Sequence, residues 1–200
     1  TGRLIAANLG DRWGQNVLVE NRPGGTIANE FVARSAPDGY TLMIISSTPM
    51  VTLPLMQKVP YDPVKSYTSV IQTATIAYAM LAHPSTGFNN VRDLVEAAKK
   101  SPGKLNFSTG GAGSGQHLYV EMFKLAAGGI ELTQIPYKGA GPALQALMAG
   151  EVHLMLDVLS GAIPAANAGK ARPLFVTGKA VEQLRGVPTF DSLYPGLEIS

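Results

Sequence analysis

Three stretches of small and hydroxylated residues stand where strand-like patterns give way to helical ones. They are Ser46-Ser47-Thr48, Thr109-Gly110-Gly111-Ala112-Gly113-Ser114-Gly115-Gln116, and Tyr137-Lys138-Gly139-Ala140-Gly141-Pro142. Their chemistry is that of anion capture. Glycine lets the backbone approach a ligand closely, Ser and Thr hydroxyls add donors, and the first turn of a helix presents unbonded N–H groups at the positive end of its dipole. Pro142 fits a first helical position, where a missing N–H costs nothing. A fourth feature is Asp157, which follows the strand-like Val152-His153-Leu154-Met155-Leu156 and precedes Leu159-Ser160-Gly161. Its carboxylate there either accepts from a ligand amino group, hydroxyl or ordered water, or caps the next helix.

Catalytic patterns are poorly served by the same residues. Ala112-Gly113-Ser114-Gly115-Gln116 misses the nucleophile elbow, whose glycines stand two residues either side of the serine. The loop also fails G-x-G-x-x-G and lacks the Lys-Ser/Thr of a phosphate-binding loop. His83, His117 and His153 form no H-x-x-x-H or H-E-x-x-H pair, and Asp157 has no second carboxylate spaced for acid–base work. No metal and no cofactor is called for. A hydrolase or transferase using Ser114 or Asp157 would have only His117, three residues on, as a base.

The elements that must position these groups alternate. Leu4 to Arg12 reads as a helix ending at Gly14, Val17-Leu18-Val19-Glu20 as a short buried strand, and Asn21-Arg22-Pro23-Gly24-Gly25 as a turn before a helix from an N-cap at Thr26 to Ala36. Tyr40 to Ile45 is the next strand. Pro49, Pro54, Pro60 and Pro63 then punctuate a long connection, followed by strand-like runs at 67–75 and 77–83. From Asn90 the alternation resumes, with helices at 90–100, 114–127, 141–149 and 160–168 and strands at 104–108, 132–136, 152–156 and 173–177. Steps of this kind imply an α/β fold rich in parallel strands. The expected division is a first lobe at 1–80, a second at 81–190, and a return segment at 191–200. Ala33–Met43 weakly echoes Ala146–Met155, each being helix, turn and strand. Ligands of open parallel sheets bind beyond the carboxyl ends of the strands, where all three loops fall. Trp13, Met122, Leu125, Leu144, Leu147 and Met148 are read as core.

Composition sets outer limits. A hydrophobic share of 46% and a charged share of 15% in 200 residues suit a compact core. The net charge of +2 is too weak to point to nucleic acid, and the only adjacent basic pair, Lys99-Lys100, falls at a helix end, where it complements the dipole. Without cysteine there is no disulfide and no thiolate metal site. No apolar run approaches the roughly 18–20 residues that cross a bilayer. The chain reads as an internal fragment, beginning within a helix and stopping without a closing element.

A set of motifs in order along the chain resembles the Bug, or tripartite tricarboxylate transporter, substrate-binding protein family. They are Trp13-Gly14-Gln15-Asn16-Val17 with Val19-Glu20-Asn21-Arg22-Pro23-Gly24, Ala36-Pro37-Asp38-Gly39-Tyr40-Thr41-Leu42, Tyr61-Asp62-Pro63, Ser101-Pro102-Gly103-Lys104-Leu105, Gly115-Gln116-His117-Leu118, Pro136-Tyr137-Lys138-Gly139 with Pro142-Ala143-Leu144, Gly169-Lys170, and Val187-Pro188-Thr189. The resemblance implies a two-lobed periplasmic binding protein of the type II, or Venus flytrap, class. It would be a monomer, and no enzyme, that captures a small carboxylate, an organic acid or related amino acid, and presents it to membrane transporter subunits or to a sensor protein. Carried over by position, Ser46, Ser47 and Thr48 would serve one lobe, and Thr109, Gly110, Ser114, Gln116, Gly139, Ala140 and Asp157 the other. By the same comparison the family's first strand and C-terminal part are absent, the turn at Pro23–Thr26 is short, and Val158 replaces a polar residue. The segments near 77–83 and after Thr177 would be hinges. A transcription regulator's ligand-sensing domain shares this architecture and is the alternative.

Overall fold

The computed structural model describes residues 2–22, 26–111 and 113–197, with the backbone alone at 47–49. The turn residues Pro23, Gly24 and Gly25, together with Ala112, lie outside the described residues. Two compact units divide the chain, Thr1–Val70 and Ile71–Ser200.

Among its described residues the first unit carries three helices, α1 (Gly2–Trp13), α2 (Ile27–Ala33) and α3 (Ser47–Met56). Helix α1 ends as its sequence dictates: Gly14 takes φ +62° and its N–H donates to the Gly10 carbonyl at 2.9 Å. Thr26 precedes α2 but makes no side-chain cap bond, and α2 stops at Ala33, short of the expected Ala36. Asn29 of α2 is buried; its carbonyl accepts from the Tyr67 hydroxyl at 2.9 Å, and the Tyr67 and Tyr61 rings meet edge to face at 6.0 Å. The Tyr61-Asp62-Pro63 motif is a turn in which the Asp62 carboxylate accepts from the N–H groups of Val64 and Lys65, both at 2.9 Å.

Several expectations fail in this unit for one reason. Residues 17–20, 40–45 and 67–75, the last running past the end of this unit at Val70, have the composition of strands, yet none of them joins a ladder among the described residues. A strand is completed by its neighbour, and the described part of this unit offers none. The same lack leaves Trp13 57% exposed rather than in a core, since α1 has no sheet to lie on. Helix α3 was not anticipated; it forms through a segment read as a proline-broken connection and keeps Pro54 within it.

The second unit is a five-stranded sheet between two helical layers. Its strands are β1 (Tyr78–Ala82), β2 (Asn106–Thr109), β3 (Thr133–Pro136), β4 (Leu154–Val158) and β5 (Arg172–Val176), in the order β3-β2-β4-β1-β5. Strand β2 is parallel to β3 and β4, whereas β1 runs antiparallel to β4 and β5. Four strands therefore share one direction, and the parallel-rich α/β reading holds with one reversed strand inserted. In β1 the side chains alternate: Met80 and Ala82 face one core, Ala79 and Leu81 the other.

The first core is covered by α4 (Val91–Lys100) and α5 (Gly115–Ala126), with the short α8 (Phe190–Leu193). Helix α4 is legible residue by residue. Asn90 caps it by accepting from the Asp93 N–H, Val91, Leu94 and Ala98 fall on its buried face, and Lys99 and Lys100 close its last turn. Burying side chains such as Phe107, Phe123 and Phe175 contributes roughly 1.5–3 kcal/mol each. Leu125, expected in the core, is 76% exposed because it points away from the sheet on α5. The second core is covered by α6 (Ala140–Ala149) and α7 (Leu159–Asn167) through Ala143, Ala146, Leu147, Ala162 and Ala165. Leu144, Met148 and Met122 pack at the margins of the two cores.

Candidate ligand-binding site

The shared direction of β2, β3 and β4 brings their carboxyl ends to one edge, where α5, α6 and α7 begin. Thr109 closes β2. It is fully buried, its hydroxyl accepts from Gln134 Nε2 at 2.8 Å, and its carbonyl accepts from the Tyr137 N–H at 2.9 Å. Beneath it, the Ser108 hydroxyl donates to the Ala143 carbonyl at 3.0 Å and ties β2 to α6.

Gly110 follows, and there the loops meet. A methyl group on Gly110 would lie 3.0 Å from the Ala140 nitrogen and 3.1 Å from Gln116 Oε1, so any side chain here would force these neighbours apart. The Gly110 N–H donates to Gln116 Oε1 at 2.8 Å, and Gln116 Nε2 donates to Asp157 Oδ1 at 3.2 Å. Asp157 is 2% exposed and Gln116 6%. Burial pushes the Asp157 carboxyl above the ordinary carboxylate value, while the Val158 N–H and the Gln116 amide hold it down in part. Two hydrogen bonds do not fully replace the water a carboxylate loses on burial, which is why the upward push wins. Asp157 does not cap α7: the N-cap is Val158, with no side-chain bond.

The three helix starts differ. That of α5 is closed by side chains, since Ser114 Oγ accepts from the His117 N–H at 3.3 Å and His117 Nδ1 accepts from the Gly113 N–H at 3.1 Å. The starts of α6 and α7 have no side-chain cap. Gly139, the residue before α6, takes φ +109°, which favours glycine. Pro142 falls third in α6 rather than first, still within the turn whose N–H groups have no helical partner. The edge can therefore receive an anion on backbone N–H groups at Ala140 and Gly141 and, on α7, at exposed Ser160, whereas the first N–H of α7, that of Leu159, donates to the Ala77 carbonyl at 3.2 Å.

All seven second-unit candidates, Thr109, Gly110, Ser114, Gln116, Gly139, Ala140 and Asp157, lie at this edge. In the first unit Ser46 stands exposed and extended before α3 without a cap bond; the side chains of Ser47 and Thr48 are not among those described. The remaining histidines lie elsewhere. His83 accepts from the Ser85 N–H, and the His153 N–H donates to Asn106 Oδ1 at 2.9 Å. Among the described residues, no group of three His, Asp or Glu side chains is placed to hold a metal. No helix of the described residues is long and apolar enough to cross a membrane.

Sequence reasoning missed Tyr78, Tyr119 and Thr177 at the same edge. The Tyr78 and Tyr119 rings meet edge to face at 5.3 Å, and burial, then Tyr119 and Asp157, raise the Tyr78 hydroxyl pKa. Buried Thr177 accepts from the Tyr78 N–H through its hydroxyl at 2.9 Å and donates its own N–H to the Tyr78 carbonyl at 2.9 Å. Only the reversed direction of β1 places Tyr78 here, and no sequence signal marked that reversal.

The tripartite tricarboxylate transporter family receptor, TctC, matches residues 1–198. The chain belongs to this family. TctC relatives include a UPF0065 protein in the tcbD-tcbE intergenic region of a Pseudomonas strain, 32% identical over 98% of this chain and 60% of its own length. Protein BugT of Bordetella pertussis is 33% identical over 96% of this chain and 61% of its own length. The chain thus spans about 60% of these relatives. Among solved structures, an R. palustris protein with adipate is similar with TM-score 0.84 and 36% identity, covering 98% of this chain and 67% of that one. The periplasmic binding protein BugD is similar with TM-score 0.80 and 31% identity, covering 99% and 67%. MatC from Rhodopseudomonas palustris with bound malate gives TM-score 0.82 and 28% identity, covering 98% and 68%. The mixed α/β fold is that of the periplasmic binding proteins.

Proposed function

We propose that this TctC-family chain is the ligand-binding part of a periplasmic receptor for a small carboxylate, and that it carries no catalytic activity. The observation that carries the reading is the start of α6, which has no side-chain cap, beside that of α7, which has none either, at the edge where Gly110 approaches Ala140. Backbone N–H groups there suit a carboxylate oxygen, and similar proteins have been solved with adipate and with malate. Thr109, Gly110, Ser114, Gln116, Gly139, Ala140 and Asp157 form or support this site, and Ser46, Ser47 and Thr48 offer the same chemistry from the first unit. In the full-length protein the ligand would pass to membrane transporter subunits, as the family's description suggests, or to a sensor, with the receptor acting as a monomer.

Against a hydrolase stands the engagement of its parts. Ser114 Oγ and His117 Nδ1 both accept from backbone N–H groups of their own loop, so neither is set to activate the other.

The test is a thermal-shift screen of the full-length protein against C3–C6 mono-, di- and tricarboxylates, adipate and malate included. A ligand at about 100 times its Kd adds roughly 2.7 kcal/mol, which raises Tm by a few degrees. No shift with any carboxylate would overturn the reading.

A further inference from the structure

The Gln116 amide is held from two sides by groups of opposite kind. The Gly110 N–H only donates, and an ionised Asp157 only accepts. One orientation of the amide satisfies both. Turning it over would set N–H against N–H on one side and oxygen against carboxylate on the other. Asp157 itself is enclosed: it is almost wholly buried, and a methyl group on Gly161 would overlap its Oδ2. Little of that carboxylate is exposed to meet a ligand. Gly110, by contrast, lies against the Ala140 nitrogen, so where Gly110 is held decides where the first N–H of α6 stands.

Building on the carboxylate reading above, we propose that Asp157 is a positioning residue that acts through Gln116. It fixes the amide, the amide occupies the Gly110 N–H, and the N–H groups at the start of α6 are left as those that meet the ligand. Gly110 is then a strut of the site and not one of its donors. Specificity for an acid follows from keeping the negative charge of Asp157 covered by the Gln116 amide instead of facing the ligand.

The experiment uses the full-length protein, 15N-labelled, with amide exchange at Gly110 as one readout and the Tm shift with adipate and malate as the other. In Asp157→Ala the Gly110 amide should exchange roughly tenfold faster, since it loses a hydrogen bond whose acceptor is no longer held. Met155 and Leu156 of β4 should stay as protected as in the wild type. Gln116→Ala should give the same Gly110 result without touching Asp157, which keeps the test open if Asp157→Ala fails to fold. Asp157→Asn retains an acceptor oxygen towards Gln116 and should restore both the slow exchange and the Tm shift. Unchanged Gly110 exchange in the two alanine variants would overturn the proposal. So would an Asp157→Asn protein with slow Gly110 exchange and no response to acids that shift the wild type, because the carboxylate would then meet the ligand directly. If the wild type answers to no carboxylate, the proposed function fails while the Gly110 exchange still decides the role of Asp157.

Discussion

Gln116 Nε2 lies 3.2 Å from Asp157 Oδ1, and this bond joins the start of α5 to the end of β4 at a point that solvent hardly reaches. Screening by water is weak there, so the bond is stronger than its length alone implies, and breaking one side leaves a buried polar group without its partner. Four expected outcomes follow from the geometry around it.

The first concerns pH. Burial sets the native pKa of Asp157 above the ordinary value of 3.8. As pH rises through that ordinary value and on through the native pKa, the unfolded chain gives up this proton first, so the native state loses relative stability across the interval. Asparagine has no such titration. Comparing urea midpoints at about pH 4 and about pH 7, Asp157→Asn should gain on the wild type at the higher pH. A gap that does not move would mean that the carboxyl titrates as it does in the unfolded chain.

Gly161→Ala reverses a general rule. Within a helix, alanine is usually favoured over glycine by roughly 0.5–1 kcal/mol. In α7 the new methyl would overlap Asp157 Oδ2 and lie 3.2 Å from Leu144 Cδ2. Overpacking of this kind costs about 1–3 kcal/mol, so the variant should unfold at lower denaturant than the wild type. A stabilised Gly161→Ala protein would place Asp157 elsewhere.

Ala140→Pro removes one N–H and sets a ring carbon on the nitrogen that Gly110 lies against. Proline suits the first position of a helix, and the preceding Gly139 is extended in ψ at 167°. The proposed function assigns that N–H to the ligand. Loss of a hydrogen bond to a charged group, about 1.5–3 kcal/mol, should weaken carboxylate binding roughly tenfold or more, by more than any loss of thermal stability of the free protein accounts for. Titration calorimetry with the best acid from the screen would read it, and undiminished affinity would exclude the Ala140 donor.

At the same edge, Thr177→Val keeps the shape of a buried side chain and deletes the acceptor for the Tyr78 N–H. An unsatisfied buried donor costs about 1–3 kcal/mol, and Thr177→Ser should recover most of it. Denaturant unfolding of the pair of variants distinguishes this loss from a packing effect, which serine would share.

Much of the second unit was legible. Helix α4 announces itself through Asn90, the spacing of Val91, Leu94 and Ala98, and the closing lysines, and all four strands that run with the alternation fall within two residues of their expected limits at one end or the other. Local rules govern such elements. Strand β1 was seen as extended, but its reversed direction depends on which neighbours it meets, and composition carries no such information. The first unit shows the converse. Leu18, Tyr40 and Leu42 have the residue types of strands and stand exposed without a ladder, because pairing is a tertiary event. For the candidate site, small residues and glycines marked loops that the fold brings to one edge. What they did not disclose is the division of labour, in which Ser114 and Gln116 accept from backbone N–H groups while the starts of α6 and α7 have no side-chain cap. Tyr78, Tyr119 and Thr177 escaped notice because ordinary core composition surrounds them.

The reversed strand β1 has one more consequence. The chain comes into the second unit through residues 71–77 and first joins the sheet at Tyr78, beside Val158 and Thr177. The seam by which the connection is stitched to the sheet is thus the seam beside the candidate edge. A residue inserted into or deleted from 71–77 would be felt at that edge before it reached any other part of the sheet. Under the proposed function, the length of that connection bears on the site, and a change in it is expected to alter carboxylate affinity.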